Sequence, residues 1–223
     1  MVSPTLPLSC IRFGVAVCCL LMLVGCIHLE QSIEIGQDQS LRVRYHYSVA
    51  EDMAATMETG RTVLDTWQET ETAGLNWFTN EAAVRRHFAQ IGAEIVHFRG
   101  VYRQRGRKHV EFTVEAMDAV TALNSGLFGA FELSAEADGT QRLHSTFPAE
   151  KTSDTLSKEH LEALRAFSDD LWLQIRVTIP GEIEATNATK TKGRTAIWTF
   201  DPGKDKTLLT RLPSIEMTYR DPK

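Results

Sequence analysis

Five cationic side chains lie close together in an otherwise acidic sequence. The stretch RGVYRQRGRKH contains Arg99, Arg103, Arg105, Arg107 and Lys108, whereas the complete chain of 223 residues has a formal net charge of -5. A Lys or Arg side chain near an anionic membrane surface contributes about 1 kcal/mol to binding. The cluster therefore predicts a contact with lipid phosphates or other anionic envelope polymers, or else a hairpin turn that is kept soluble by its charges. The acidic average gives no reason to expect nucleic-acid binding.

Cysteine chemistry is confined to the first residues of the chain. The four cysteines are Cys10, Cys18, Cys19 and Cys26, and no thiol follows. The remainder of the chain therefore has no disulfide, no cysteine nucleophile and no cysteine metal ligand. Of the four cysteines, Cys26 lies at the end of an apolar run of residues.

The apolar run has the organisation of a signal peptide. Arg12 is the first charged residue and precedes the apolar residues 13 to 24. A helix that spans a bilayer needs about 20 apolar residues, so a run of about 12 is too short for a permanent span. A basic segment followed by a short apolar segment is typical of an export signal.

The end of this run, Leu23-Val24-Gly25-Cys26, resembles the lipobox of bacterial lipoproteins. The resemblance implies that Cys26 receives a diacylglycerol, that cleavage falls between Gly25 and Cys26, and that palmitate-like acyl chains anchor the protein in a membrane. Two or more acyl chains anchor a protein stably, whereas one holds it only marginally. The alternatives are an ordinary secretory signal with an accidental cysteine, or an uncleaved short anchor.

Signatures of enzymes and metal sites are missing from the sequence. The histidines occur singly and are His28, His46, His87, His97, His109, His144 and His160. No HExxH, Walker A, G-x-S-x-G or G-x-G-x-x-G pattern occurs, so we expect no catalytic residues, no metal and no cofactor. The carboxylate pairs near residues 169 and 182 are typical of a solvated surface, because acid–base catalysis needs a perturbed environment.

An apolar loop that contains two glycines is the second candidate for a ligand-binding site. The stretch GLFGAF places Phe128 and Phe131 next to two glycines. The loop covers a hydrophobic core, or it forms the lip of an apolar cavity of the kind that receives a lipid tail. Phe128 and Phe131 are the candidate lip residues.

The pattern of apolar residues predicts hairpins separated by helices. Strands are predicted at 27 to 36, 41 to 49, 93 to 104, 108 to 116, 171 to 179, 183 to 189, 194 to 201 and 214 to 219, with a further hairpin around a type I′ turn at Asp138-Gly139. Helices are predicted at 53 to 74, 80 to 91 and 154 to 169, with a short one near 119. We therefore expect an α+β fold, a mainly antiparallel sheet with about four helices packed on it. Residues 1 to 25 form the cleaved signal peptide and residues 26 to 223 a single domain.

One stretch resembles a known family. Residues 175 to 200 are similar to the end of the LppM-type lipoprotein domain, in which a strand runs into Pro-Gly, an Asn-containing turn follows, and a Trp lies on the next strand. The matching residues are Pro180, Gly181, Asn187 and Trp198, and Trp198 is expected to be buried. The resemblance implies an α+β domain that binds lipids or lipoglycans and has no catalytic activity. Some members carry a later hydrophobic helix, whereas this sequence ends in TYRDPK, so Cys26 is the expected anchor.

These observations predict a non-enzymatic binding lipoprotein of the cell envelope. It would face outside the cytoplasm on a lipid anchor at Cys26, with the inner and outer membrane both open, and would bind a lipid or another apolar or anionic envelope ligand. The alternative is a structural or assembly protein that binds another envelope protein, whose identity the sequence leaves open.

Overall fold

A computed structural model of the chain describes residues 27–51, 79–145, 171–209 and 214–222. These residues form eleven strands, two α-helices and one short 3-10 helix. The strands are β1 Ile27–Ile35, β2 Leu41–Ala50, β3 Glu94–Gln104, β4 Arg107–Ala116, β5 Phe131–Ala135, β6 Thr140–Ser145, β7 Leu171–Thr178, β8 Glu182–Thr186, β9 Lys190–Lys192, β10 Thr195–Phe200 and β11 Ile215–Arg220. The helices are α1 Glu81–Ala89 and α2 Ala119–Asn124, and the 3-10 helix is Lys206–Leu209.

The strands form two sheets. The larger sheet has seven strands in the order β3-β4-β2-β1-β7-β10-β9, and the smaller has four in the order β5-β6-β11-β8. Strands β1 and β7 pair in parallel, whereas the other described pairs are antiparallel. This parallel pair joins the first two hairpins to the strands near the end of the chain. It is a long-range contact that the hairpin pattern of the sequence does not reveal.

Alternation of side chains places one face of the larger sheet in the core. In β2, Leu41, Val43 and Tyr45 are buried, and Arg42 and Arg44 between them are exposed. Buried residues of both sheets and of α1 form one hydrophobic cluster. Each fully buried aliphatic or aromatic side chain stabilises the fold by about 1.5 to 3 kcal/mol. The other face of the larger sheet carries the polar side chains of the strands.

The predicted α+β fold with about four helices is wrong. The structure is mainly β, and the described residues contain only α1, of nine residues, and α2, of six. The predicted helix at 80 to 91 is confirmed as α1, where Asn80 Oδ1 accepts a hydrogen bond from the Ala83 amide at 3.2 Å. The predictions at 53 to 74 and 154 to 169 lie outside the described residues. Most of the described residues lie in strands with alternating side chains. The helical spacing of apolar residues in the sequence does not show how much of a sheet face the helices cover.

The predicted type I′ turn is at a different hairpin. At Asp138-Gly139 only the glycine has a positive φ, of 83°, and its amide donates to Glu136 O at 3.0 Å. This is a type I turn followed by a left-handed residue. Arg105 and Gly106 have φ values of 52° and 70°, and a type I′ turn requires positive φ at both central residues. This two-residue turn therefore joins β3 to β4.

Candidate functional site

The strand register brings the start of β1 to the end of the larger sheet that carries the cationic cluster. Ile27, which directly follows Cys26, pairs with Val49 of β2, and Val49 pairs with Lys108 of β4. Neighbouring strands lie about 4.8 Å apart, so Ile27 is about 10 Å from Lys108. We call this end of the sheet the basic end. It comprises residues 27–30, 46–51, 99–111 and 171–174.

The turn between β3 and β4 closes the basic end without projecting far from it. The Glu51 amide donates a hydrogen bond to Gly106 O at 3.2 Å, which ties the turn to the end of β2. Arg105 is exposed in the turn. Its left-handed conformation costs a non-glycine residue about 1 to 2 kcal/mol, which the paired strands on both sides offset. The Arg105 side chain therefore lies at the end of the sheet, on a backbone that the turn holds in place.

Two of the cationic side chains are held by residues at the end of β2. Arg103 Nε lies 2.8 Å from Glu51 Oε1, and both side chains are well exposed, at 74% and 42%. Arg107 donates to both the hydroxyl and the carbonyl oxygen of Ser48, at 3.1 Å each. Arg107 therefore supports the hairpin, whereas the exposed ion pair of Arg103 contributes little to stability.

The cationic side chains are distributed over both sides of the hairpin. Arg103 pairs with Lys108 in the register, so these two share one side. Because side chains alternate along a strand, Arg107 and His109 share the opposite side. Arg99 pairs with Glu111 and lies on this second side as well. The cluster predicted from the sequence is therefore a band of charge around the end of the sheet.

Two histidines that are distant in the sequence meet on the polar face of the basic end. His46 Nε2 lies 3.0 Å from His109 Nδ1, and the two rings are almost parallel with centroids 5.3 Å apart. The other ring nitrogen of His109 is 3.2 Å from Gln104 O, and that of His46 is 3.9 Å from Glu30 Oε2. The Tyr102 ring stacks on His109 at 5.1 Å. These contacts connect four neighbouring strands.

Further aromatic contacts extend this histidine cluster in both directions. The Arg99 guanidinium carbon lies 3.6 Å from the centre of the Tyr102 ring, which is a cation–π contact. On the other side, His28 packs against Trp172 with ring centroids 5.4 Å apart. Burial lowers the pKa of His28, and the nearby charge of Arg107 lowers it further. The face thus combines cations, hydrogen-bond donors and aromatic rings.

The described residues offer little for other chemistry. Within residues 27–51, 79–145, 171–209 and 214–222, no three His, Cys, Asp or Glu side chains are placed to hold a metal ion. No helix in these ranges is both long enough and apolar enough to cross a membrane. The expectation from the sequence that the protein has no metal, cofactor or catalytic site stays a prediction.

Phe128 and Phe131 lie in the core and not at the lip of a cavity. Each is 2% exposed. The Phe128 ring lies 5.0 Å from the Phe88 ring, and its carbonyl oxygen accepts a hydrogen bond from Gln31 Nε2 at 2.7 Å. Gly129, with a φ of 111°, provides the backbone freedom that turns both rings inward. The loop therefore covers the core, which is the alternative that the sequence left open.

A cavity of about 320 Å³ opens next to the stretch that resembles the LppM domain. Its lining includes Asn187, Trp198, Phe200 and Leu208. Trp198 is 2% exposed, as expected, and its Nε1 donates to Asn187 Oδ1 at 2.8 Å. The Asn187 amide nitrogen donates in turn to Ser214 O at 2.7 Å. These polar groups are satisfied within the protein, so they act as scaffold.

Sequence reasoning missed the histidine cluster. His46 and His109 are 63 residues apart and look isolated in the sequence. Both occupy polar positions of alternating strands, and that alternation is the only signal that could have suggested a shared face. The pairing of β2 with β4, which brings the two rings together, becomes visible only in the structure.

Comparison with known proteins finds similarity among solved structures. The chain matches no protein-family model and no curated protein. Among solved structures, the folded domain of the Mycobacterium tuberculosis LppM protein, determined by NMR, is similar with a TM-score of 0.47 and 12% identity, over 90% of this chain and 92% of that one. The similarity is a likeness in fold.

Proposed function

We propose that the protein is a lipid-anchored protein of the bacterial cell envelope whose basic end binds anionic lipid headgroups without catalysis. The observation that carries this proposal is the register of Ile27. It lies at the same end of the larger sheet as Arg105, Arg103 and Lys108. An acyl anchor on Cys26, one residue before Ile27, would hold this end and no other against the membrane.

The distances favour a direct electrostatic contact. No Gly/Ser tether separates Cys26 from β1, so the sheet begins at the anchor itself. Because Ile27, Val49 and Lys108 lie at the same level of the sheet, an anchor beside Ile27 would hold the cations of this end near the membrane surface. Exposed charges attract each other there within a Debye length of about 8 Å.

The β3 edge of the larger sheet is less suited to the alternative role in protein assembly. Val96 and Val101 of the edge strand β3 are 50% and 54% exposed. Both lie at shifts in the register between β3 and β4. Such bulges disrupt the row of backbone groups that an added strand would need. This edge therefore disfavours strand addition by a partner protein.

The anchor is tested by mass spectrometry of the chain purified from bacterial membranes. We expect a mature chain that begins at Cys26 and carries a diacylglyceryl group. In a Cys26→Ser variant we expect an unprocessed precursor without lipid. Processing at another site, with no lipid on the wild type, would remove the anchor from the proposal.

The headgroup contact is tested with the processed chain in nanodiscs, with and without anionic phosphatidylglycerol. We expect hydrogen exchange at the Gly106 amide to slow in anionic discs only, because headgroups cover the turn. The double variant Arg103→Gln and Arg105→Gln should lose this protection. A matched control, Lys190→Gln and Lys192→Gln, removes two exposed charges from β9, the edge strand opposite β3, and should retain the protection. Equal exchange of the wild type in both discs would contradict the proposed contact.

A further inference from the structure

The hydrogen bonds of the histidine pair define where its protons lie. Gln104 O can only accept a hydrogen bond, so His109 Nε2, at 3.2 Å, carries a proton. In the neutral ring His109 Nδ1 is then an acceptor, and His46 Nε2 donates to it across 3.0 Å. The remaining nitrogen, His46 Nδ1, has a lone pair that faces the Glu30 carboxylate at 3.9 Å. Because a lone pair and a carboxylate repel each other, an added proton is stabilised at His46 Nδ1.

The pair binds one proton more readily than two. The first proton, on His46, creates an ion pair with Glu30 and leaves both hydrogen bonds of His109 in place. A second proton, on His109 Nδ1, would break the hydrogen bond from His46 and put two cations side by side. Burial is the main cause that lowers the pKa of His109. The charges of His46 and Arg107 also lower this pKa, whereas the hydrogen bond to Gln104 O raises it.

Charged groups from the neighbouring strands face the pair. They are His28 and Glu30 of β1, Arg44 of β2, Arg99 of β3, and Arg107 and Glu111 of β4. Glu111 lies 3.8 Å from Arg44, which compensates its charge. Strand β7 contributes the neutral Trp172 and Gln174 at the paired positions. Glu30 is thus the carboxylate left to stabilise a proton on His46.

We propose that His46 and His109 form a proton-binding site that makes the headgroup contact of the basic end dependent on pH. The proposal rests on the proposed function and names its regulation. His109 is hydrogen-bonded to the carbonyl oxygen of Gln104, where the turn between β3 and β4 begins, and it lies two residues after Arg107. A proton on His46 therefore adds one positive charge beside the cations of the turn, within about a Debye length.

The expected direction is a tighter contact as the pH falls. One additional cation near an anionic surface strengthens binding about fivefold. The change should coincide with the uptake of the first proton by the pair. Glu30 does not cancel the added positive charge, because it faces His46 both before and after the ring takes up the proton.

Two measurements on the processed chain in nanodiscs test the site. Nitrogen NMR of the histidine rings in neutral discs follows the protonation of each nitrogen without any membrane charge. Hydrogen exchange at the Gly106 amide, expressed as a protection factor that corrects for the pH dependence of exchange itself, follows the contact in anionic discs. We expect His46 Nδ1 to be protonated before His109 Nδ1, and the protection to rise about fivefold between about pH 8 and about pH 5.5.

Matched variants separate the pair from other histidines. His46→Gln retains a side-chain donor for His109 but cannot take up the proton, so we expect most of the pH response to disappear. His97→Gln changes an exposed histidine of β3 in the same sheet and should retain the response. Glu30→Gln should shift the response to lower pH, because the protonated ring loses its ion-pair partner.

The outcomes distinguish this proposal from the function on which it rests. Protection that is present at every pH but constant would overturn the regulation and leave the headgroup contact intact. First protonation at His109 would overturn the assignment of the proton site. Absence of protection in anionic discs at any pH would overturn the proposed function and its regulation together, whatever the ring nitrogens show.

Discussion

The junction between the two sheets and the basic end of the larger sheet use polar groups in opposite ways. The junction comprises residues 179–181, 187 and 198, around the places where the chain passes from one sheet to the other. Asn187 Oδ1 accepts hydrogen bonds from the Trp198 ring and from the Glu216 amide, at 2.8 Å and 2.9 Å. At the basic end, by contrast, the ion pair of Arg103 with Glu51 is largely exposed.

The difference also appears in the backbone. At the junction, a Cβ on Gly181 would overlap the carbonyl oxygen of Arg220, so the two strands approach each other more closely than a side chain permits. Arg194 Nη1 donates to Pro180 O at 2.8 Å and fixes the crossing from the other side. At the basic end, a Cβ on Gly100 of β3 would meet only the Phe98 ring, at an ordinary 3.5 Å.

This comparison teaches that the residues with the strongest sequence motif are not the candidate site. The motif residues join the sheets, and their polar atoms are satisfied inside the protein. Arg103 and Arg105 of the basic end are exposed and contribute less to folding, so a ligand can reach them. Substitutions at the junction should therefore change stability, and substitutions at the basic end should change binding.

The largest effect on stability is expected at the junction for Trp198→Ala. Removing a buried large aromatic side chain costs about 3 to 5 kcal/mol, and here the hydrogen bond to Asn187 is lost as well. Urea unfolding followed by circular dichroism measures the loss. Trp198→Phe retains most of the packing and should cost clearly less. An unchanged free energy of unfolding for Trp198→Ala would mean that the ring does not support the core.

A smaller loss is expected for Gly181→Ala at the same junction. The added methyl group has to displace the backbone near Arg220, and overpacking of this kind costs about 1 to 3 kcal/mol. The same substitution at the basic end, Gly100→Ala, adds a methyl group where there is room and serves as the control. Thermal unfolding of the two variants compares the regions directly, and equal melting temperatures would contradict the difference between them.

The smallest effect on stability is expected for Arg103→Gln combined with Arg105→Gln at the basic end. Exposed ion pairs contribute about 0.2 to 1 kcal/mol, so the free energy of unfolding should change by no more than that. Arg107→Gln should cost more, since it also loses two hydrogen bonds to Ser48. Urea unfolding of both variants decides the order. The reverse order would mean that the turn charges, and not Arg107, hold the hairpin.

Much of the local structure could be predicted from the sequence because its causes are local. The alternation in β2, β4, β7 and β10 indicates strands whose apolar side chains are buried, and the structure confirms them. Asn80 and Gly92 bound the predicted helix, because one caps its first amides and the other adopts a left-handed conformation, with a φ of 70°, after its end. The described residues contain two α-helices and are mainly β, because strand pairing between distant segments, which helical spacing does not reveal, builds both sheets.

By itself, the sequence determined most of the strands but not β9, that Trp198 is buried and that cationic side chains concentrate at one hairpin, because alternation and local charge depend on neighbours along the chain. The tertiary structure alone decided that β1 lies parallel to β7, that Phe128 faces the core and that Ile27 lies at the cationic end. It also decided the meeting of His46 with His109. These are pairings between distant segments, and their energy comes from packing against partners whose position no local pattern specifies.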